Sequence, residues 1–128
     1  MNETFNCAIL DTGCANNNVC GVKWLDNYLK NIGINMSDIN SEPSNNTFRF
    51  GGGNVYNSDK YVFIPCVLGG KDIIIKTNVV ECDIPLLLSK TAMKKAGMIF
   101  NMKNDTVEIF DKIVSLSYYF WTLLFAVK

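Results

Sequence analysis

The residues with the clearest potential for chemistry are Asp11-Thr12-Gly13, which directly follow the apolar run Ala8-Ile9-Leu10. A carboxylate at the end of a buried strand lies in a low dielectric, and the backbone amides of a Gly-containing turn can hold it in place. Such a carboxylate can share one proton with a second carboxylate, and the pair can then act as acid and base on a bound water. Asp and Gly are also common wherever a strand ends, so these three residues alone do not define a site.

The sequence contains no histidine. Within one chain this excludes Ser-His-Asp and Cys-His nucleophilic catalysis, zinc sites with histidine ligands and acid–base chemistry by imidazole. If the chain is catalytic, we therefore expect carboxylates to be its catalytic groups. Cys14 is a weaker alternative as a nucleophile, because no base accompanies it, although a neighbouring turn amide could lower its pKa.

The composition is that of one globular domain, with 128 residues of which 48% are hydrophobic and 19% charged. Twelve cationic and twelve anionic side chains cancel. Arg49 is accompanied only by lysines that are spread along the chain, so the sequence has no basic stripe of the kind that binds nucleic acid. We therefore expect no nucleic-acid partner.

The cysteines are odd in number and include no C-x-x-C pair: Cys7, Cys14, Cys20, Cys66 and Cys82. Residues 1–20 contain no basic segment followed by an apolar one, the pattern of a secretory signal. These features indicate reduced thiols that pack as small hydrophobic side chains, and they predict a cytoplasmic location.

Hydrophobic periodicity predicts the elements that must position Asp11. In the first part of the chain these are a strand at 5–10, a loop at 15–20, a helix at 22–32 ended by Gly33, and a loop at 35–46. The helix rests on apolar residues at helical spacing, which we expect to face the core: Val22, Leu25, Leu29 and Ile32.

Hairpins and one more helix are predicted further along the chain. Residues 47–50 and 54–56 flank Gly51-Gly52-Gly53, a permissive tip that suits either a flap over an extended ligand or a plain turn. The remaining predictions are a hairpin at 60–81 turning at Gly69-Gly70, an apolar strand at 84–88, a helix at 90–96 capped by Ser89 and ended by Gly97, and a hairpin at 98–110. Because strands dominate, the predicted class is all-β with closed or sandwich-like packing.

The last part of the chain, residues 113–127, carries no charge. It is shorter than the roughly 18–20 residues that span a bilayer as a helix, so we expect a buried or interface strand, and membrane association is the less favoured alternative. Its aromatic side chains need a partner, because such a segment promotes association when it is exposed.

Together these residues resemble a retropepsin-like aspartic protease of retroviral and LTR-retrotransposon polyproteins, with particular similarity to animal transposons. Residues 8–14 are similar to the family's apolar–Asp-Thr/Ser-Gly-Ala motif, and 48–53 fall where the flap hairpin would lie. Residues 84–97 resemble the family's strand end and single helix, and 98–110 its closing hairpin. Two departures are Ser89, where the family usually has Gly, and a short segment before Asp11 that lacks the family's first strand.

The resemblance implies an all-β fold, a retropepsin-like closed β-barrel with one or two short helices, in a domain at 1–110 followed by an apolar tail at 111–128. It assigns Asp11 as the catalytic residue in an active-site turn that includes Thr12, Gly13 and Cys14. The flap and substrate-binding residues would be Phe50, Gly51, Gly52 and Gly53, and the strand end near the active site would be Leu87, Leu88 and Ser89. No metal or other cofactor is implied.

The implied activity is that of an aspartic endopeptidase acting on an extended peptide or polyprotein. The reaction needs two carboxylates, and the chain has one Asp-Thr-Gly motif and is too short for two lobes, so a homodimer would supply the second Asp11. The alternative is a catalytically inactive module of the same fold that dimerises or binds peptides and derives from a decayed transposon.

Overall fold

The computed structural model describes the backbone at residues 7–10, 17–50, 53–115, 117–119 and 122–126, and the side chains within 8–10, 17–50 and 53–115. The strands of this part of the chain are β1 (Cys7–Leu10), β2 (Asn18–Gly21), β3 (Ser41–Arg49), β4 (Val55–Leu68), β5 (Lys71–Val80), β6 (Leu86–Leu88), β7 (Ile99–Asn101), β8 (Thr106–Ile109), β9 (Lys112–Ser115), β10 (Ser117–Tyr119) and β11 (Thr122–Ala126). The helices are α1 (Val22–Ile32), α2 (Lys90–Lys95) and a single 3₁₀ turn at Met36–Asp38. Strands dominate and the helices are short, which confirms the predicted class.

The strands form two sheets. The larger has the order β10-β11-β1-β6-β2-β5-β4-β3, and the smaller is the meander β7-β8-β9. In the larger sheet β1 runs parallel to β6 and β2 parallel to β5, whereas the other pairs are antiparallel. The described residues contain no pairing between the end strands β10 and β3, and closure into a barrel stays a prediction.

The predicted hairpin of β4 and β5 is confirmed. Gly69 and Gly70 both have positive φ (58° and 78°), the conformation that two-residue hairpin turns require. Burial alternates along the second half of β4, which turns Val62, Ile64 and Cys66 into the core. The long hairpin thus forms one wall of the molecule.

Helix α1 matches its predicted bounds, but its buried face is rotated. Gly33 ends it in the left-handed conformation (φ 77°) and donates its backbone N–H to Leu29 and Lys30 carbonyls. The buried residues are Trp24, Leu25, Tyr28 and Leu29, whereas Val22 is exposed. Leu25 and Leu29 are buried as predicted and Ile32 packs against the core. Trp24 and Tyr28, which stack with ring centroids 5.0 Å apart, extend the buried face in place of Val22.

Two predicted loops were wrong in part. Residues 18–20 of the predicted loop at 15–20 lie in β2, because parallel pairing with β5 buries Val19 and Cys20. Residues 41–46 of the predicted loop at 35–46 lie in β3, which tolerates Pro43 because it is the end strand of the sheet.

The later predictions agree closely with the structure. All three residues of β6 are buried, and α2 begins after Ser89, whose hydroxyl accepts a hydrogen bond from the Ala92 amide at 3.2 Å. The predicted closing hairpin is β7 and β8. Segment 122–126, within the apolar tail, forms β11 and pairs antiparallel with β1. Among the helices described, none combines the length and apolar character needed to cross a membrane.

Candidate active site

The centre of the candidate site is the parallel pair β1 and β6. Ala8 pairs with Leu86, Ile9 with Leu87 and Leu10 with Leu88. The carboxyl ends of two parallel strands lie at the same edge of a sheet. Leu10, the last residue before the predicted catalytic motif, therefore lies beside Leu88, the last residue before Ser89.

The predicted active-site turn itself, Asp11, Thr12, Gly13 and Cys14, lies outside the described residues, as do Gly51 and Gly52 of the predicted flap. The other predicted residues are described: Phe50, Gly53, Leu87, Leu88 and Ser89.

Successive side chains of these central strands alternate between two apolar clusters. Ala8 and Leu10 face the main core together with Leu86 and Leu88. Ile9, Val19 and Leu87 contribute to a second cluster. The members of this hairpin-side cluster are Val19, Val80 and Leu87, with the partly buried Ile9, Phe48, Phe50, Tyr56, Cys82 and Ile84.

The hairpin of β3 and β4 contributes an aromatic surface to this cluster. Phe48 and Phe50 stack nearly parallel, with ring centroids 6.2 Å apart, and Tyr56 lies 5.7 Å from Phe50 with its ring tilted by 41°. The Gly53 amide donates to the Phe50 carbonyl at 3.3 Å, and Gly53 has a φ of 82°. The hairpin predicted as a flap is thus present, and its apolar side faces the same cluster as Leu87.

The segment after β5 contributes Cys82 and Ile84 to the cluster. A hydrogen bond and an electrostatic interaction with the Cys82 side chain raise the pKa of Tyr56, burial raises it to a smaller extent, and a hydrogen bond with Asn54 opposes the shift. Gly21 donates its amide to the Ile84 carbonyl at 3.1 Å, and a Cβ at Gly21 would collide with the carbonyl oxygen of Cys82. Close backbone contact therefore fixes this segment against β2.

Ser89 is 1% exposed, and both its hydroxyl and its backbone amide form hydrogen bonds. Its hydroxyl caps α2, and its backbone amide donates to Oδ1 of Asn18 at 2.8 Å. The Ser89 hydroxyl is therefore used as a helix cap, and the backbone at the strand end is held by a side chain of β2.

A cavity of about 470 Å³ lies between β5 and α2. Asn18, Leu88 and Ser89 line the end that is nearest the candidate site, and Lys76 and Lys95 are the charged residues in the described part of the lining. Phe48 and Phe50 do not line it, so it is a space distinct from the hairpin-side cluster.

The ionisable groups with large pKa shifts belong to the main core. Burial raises the pKa of the Cys66 thiol to about 12 and also raises the pKa of Cys20. Burial, followed by the charge of Cys66, raises the pKa of Tyr28, whose hydroxyl donates to the Pro65 carbonyl at 2.9 Å. These groups pack the core and are not part of the hairpin-side cluster. No cluster of three His, Cys, Asp or Glu suited to a metal ion occurs within the described ranges.

Sequence analysis did not identify Asn78, which is fully buried in β5 and hydrogen-bonds to β2 and β3. The sequence feature that could have identified Asn78 is the pair of adjacent polar residues Thr77 and Asn78 between Ile and Val residues. It also missed Val19, because residues 15–20 were expected to form a loop.

A scan against protein-family models and a search of curated proteins found no match to this chain. Among solved structures, the crystal structure of the retroviral protease-like domain of Ddi1 from Leishmania major is similar to it, with a TM-score of 0.49 and 16% sequence identity. The similarity covers 84% of this chain and 77% of that chain.

Proposed function

We propose that the chain is a homodimeric aspartic endopeptidase of the retropepsin type. The observation that carries this proposal is the parallel pairing of β1 and β6. It places Leu10 and Leu88, the last residues of the two strands, side by side at one edge of the sheet. In the sequence, Leu10 is followed directly by Asp11-Thr12-Gly13. A catalytic carboxylate in such a turn would be close to the backbone at Ser89 and to the hairpin of β3 and β4.

In the proposed site, we infer the direction of the Asp11 side chain from the alternation along β1. Ile9 faces the hairpin-side cluster, whereas Ala8 and Leu10 face the main core. If the extended conformation continues by one residue, Asp11 shares the side of Ile9. Its carboxylate would then lie on the same side of the sheet as Phe48 and Phe50, and a substrate held by the hairpin would approach it from that side.

One such carboxylate does not suffice for peptide hydrolysis, and the proposed dimer supplies the second. Two Asp11 side chains across a twofold axis would share one proton, because two like charges in contact do not both ionise. The ionised carboxylate would take a proton from water as the water attacks the peptide carbonyl carbon. The protonated carboxyl would donate its proton to the carbonyl oxygen.

The proposed substrate is an extended peptide with apolar side chains around the cleaved bond, as in a polyprotein segment. The support is the chemistry of the hairpin-side cluster, which consists of aliphatic and aromatic residues together with Cys82. A peptide that lies along the hairpin could also add strand-like backbone hydrogen bonds.

The decisive experiment is cleavage of a peptide library at mildly acidic pH by the wild-type chain and by Asp11→Asn. We expect cleavage by the wild type, its loss in Asp11→Asn with an unchanged circular dichroism spectrum, and a dimer for both in sedimentation. A pepstatin-type inhibitor should block the wild type, because it mimics the tetrahedral species between paired carboxylates. Retained cleavage in Asp11→Asn would remove Asp11 from the proposed role.

The second candidate is an inactive module of the same fold that dimerises or binds peptides. Ser89 favours it, because this side chain stands at the strand end where the resemblance calls for Gly. The hairpin-side cluster would bind apolar peptides with or without catalysis. Peptide binding by both the wild type and Asp11→Asn, without cleavage by either, would support this candidate.

A further inference from the structure

Asn78 is the centre of a buried hydrogen-bond network that crosses the larger sheet. Its side chain is fully buried. Its Oδ1 accepts from the Ser44 hydroxyl at 2.8 Å and from Nδ2 of Asn46 at 3.1 Å, while its own Nδ2 donates to the Asn18 carbonyl at 3.3 Å. One amide side chain therefore links β5 to both β3 and β2.

The β3 end of the network coincides with an irregularity in the hairpin. The register shifts between Pro43 and Asn46, where β3 contains one more residue than the facing part of β4. A bulge of this kind bends a strand and redirects its side chains. Here Ser44 and Asn46 both reach Asn78, and Asn46 also donates to the Tyr61 hydroxyl at 2.7 Å.

The β2 end of the network reaches the candidate site. Asn18, whose carbonyl accepts from Asn78, uses its side-chain oxygen to accept the Ser89 amide at 2.8 Å. Its side-chain nitrogen donates to the Lys76 carbonyl at 3.2 Å. Through Asn18, the same network that holds the bulge also holds the backbone directly after β6.

We propose that Asn78 is a positioning residue that fixes the β3 arm of the hairpin relative to the strand end at Ser89. Its catalytic consequence rests on the proposed function, because the two elements it joins are the two sides of the proposed peptide cleft. An apolar residue at this position would bury equally well in the sheet, but it would leave the bulge and the Asn18 carbonyl without this connection.

The test compares Asn78→Val with Thr77→Val by native-state amide hydrogen exchange. Thr77 is a matched control, because it is the adjacent residue, is also fully buried and hydrogen-bonds locally to the Ile75 carbonyl. Asn78→Val should speed exchange at 44–49 and at Ser89 by roughly tenfold, the effect of losing the free energy of one hydrogen bond. Thr77→Val should leave exchange at these positions as in the wild type.

A second pair of variants changes residues of β3 at the less buried end of the network, where a substitution disturbs the core less. Asn46→Ala should reproduce the faster exchange at 44–49, and Asn45→Ala, at the adjacent exposed position, should not. This pair decides the proposal if Asn78→Val does not fold. Equal exchange within each pair, or acceleration spread evenly over the sheet, would overturn the positioning role.

The activity readout separates this inference from the proposed function. If the wild type cleaves peptides, Asn78→Val should lower kcat/KM by about tenfold, Thr77→Val should change it less than about twofold, and the pH profile should be unchanged in both. If the wild type cleaves none, the proposed function fails, whereas hydrogen exchange still decides whether Asn78 positions the arm.

Discussion

Ile9 and Leu87 are register partners in the parallel strands β1 and β6, and both side chains lie in the hairpin-side cluster. Their sequence neighbours face the other way, into the main core. The central strands therefore have two buried sides. One side packs in the main core, and the other side packs against the hairpin of β3 and β4.

This separation predicts different effects for two adjacent leucines. Leu86→Ala, on the core side, should lower the free energy of unfolding by about 2–5 kcal/mol. Leu87→Ala should cost less stability, because it lies in the smaller cluster. Under the proposed peptidase function, Leu87→Ala should also shift the cleavage preference toward larger apolar side chains, and Leu86→Ala should leave it unchanged. Urea unfolding and peptide-library profiling measure the two effects. The same profile for Leu87→Ala and the wild type would contradict the role of this surface in binding substrate.

A second prediction concerns two positions that require glycine for different reasons, Gly21 because of close backbone contacts and Gly33 because of its positive φ. Gly21 has an ordinary φ of −78°, but an added Cβ would lie 2.8 Å from the Ile84 carbonyl oxygen. Gly33 has a φ of 77°, with nothing within 4 Å of an added Cβ. Gly33→Ala should cost about 1 kcal/mol of backbone strain, whereas Gly21→Ala should cost on the order of 3 kcal/mol, because backbone must move.

Urea unfolding of the two glycine variants provides the comparison. The tryptophan fluorescence of Gly33→Ala should remain that of the wild type before unfolding. A smaller loss of stability for Gly21→Ala than for Gly33→Ala would show that segment 82–84 is free to move away from β2.

The elements that were predicted well are those with local signals. Gly69-Gly70 both adopt positive φ in the hairpin turn, Ser89 caps α2, and Gly33 ends α1. Each signal acts between residues close in sequence, so it can be recognised without knowledge of the fold.

The elements that were missed depend on partners far away in the sequence. β2 contains Asn18 and Gly21, poor strand formers, and it becomes a strand through its parallel neighbour β5. The first half of β3 contains Pro43 and pairs with the distant residues 60–62. For the candidate site, motif order singled out Leu87 and Phe50, which lie in one cluster, and their roles in a site stay a prediction. The hydrogen bonds of Asn78 depend on a bulge and on two strands that no local pattern brings together.

Buried thiols predict how stability depends on alkaline pH. Burial raises the pKa of Cys66 from 9.0 to about 12. Below pH 9 the thiol is protonated in both states, so its contribution to stability is fully present there. Between pH 9 and 12 the unfolded chain loses the proton and the folded chain keeps it, so the free energy of unfolding falls with a slope approaching about 1.4 kcal/mol per pH unit.

Urea unfolding between pH 7 and 10.5 tests this linkage. Cys66→Ala should reduce the slope above pH 9, because one of the shifted groups is gone. Val62→Ala, at a position of similar burial in the same strand, should lower stability by a constant amount and keep the wild-type slope. An identical slope in Cys66→Ala and the wild type would show that the Cys66 thiol has no raised pKa in the folded chain.

The hydroxyl of Ser89 is predicted to act as a helix cap and in no other way. Ser89→Ala removes the acceptor of the Ala92 amide and should lower the free energy of unfolding by about 1 kcal/mol, whereas Ser89→Gly should cost only a few tenths, because glycine lets water reach the helix end. Both variants keep the backbone hydrogen bond to Asn18, so the loss of stability in Ser89→Ala relative to the wild type reports the cap. Urea unfolding at neutral pH measures it. A larger loss for Ser89→Gly would mean that restricting the backbone after β6 matters more than the cap, and the Gly of the resembling family would then destabilise this chain.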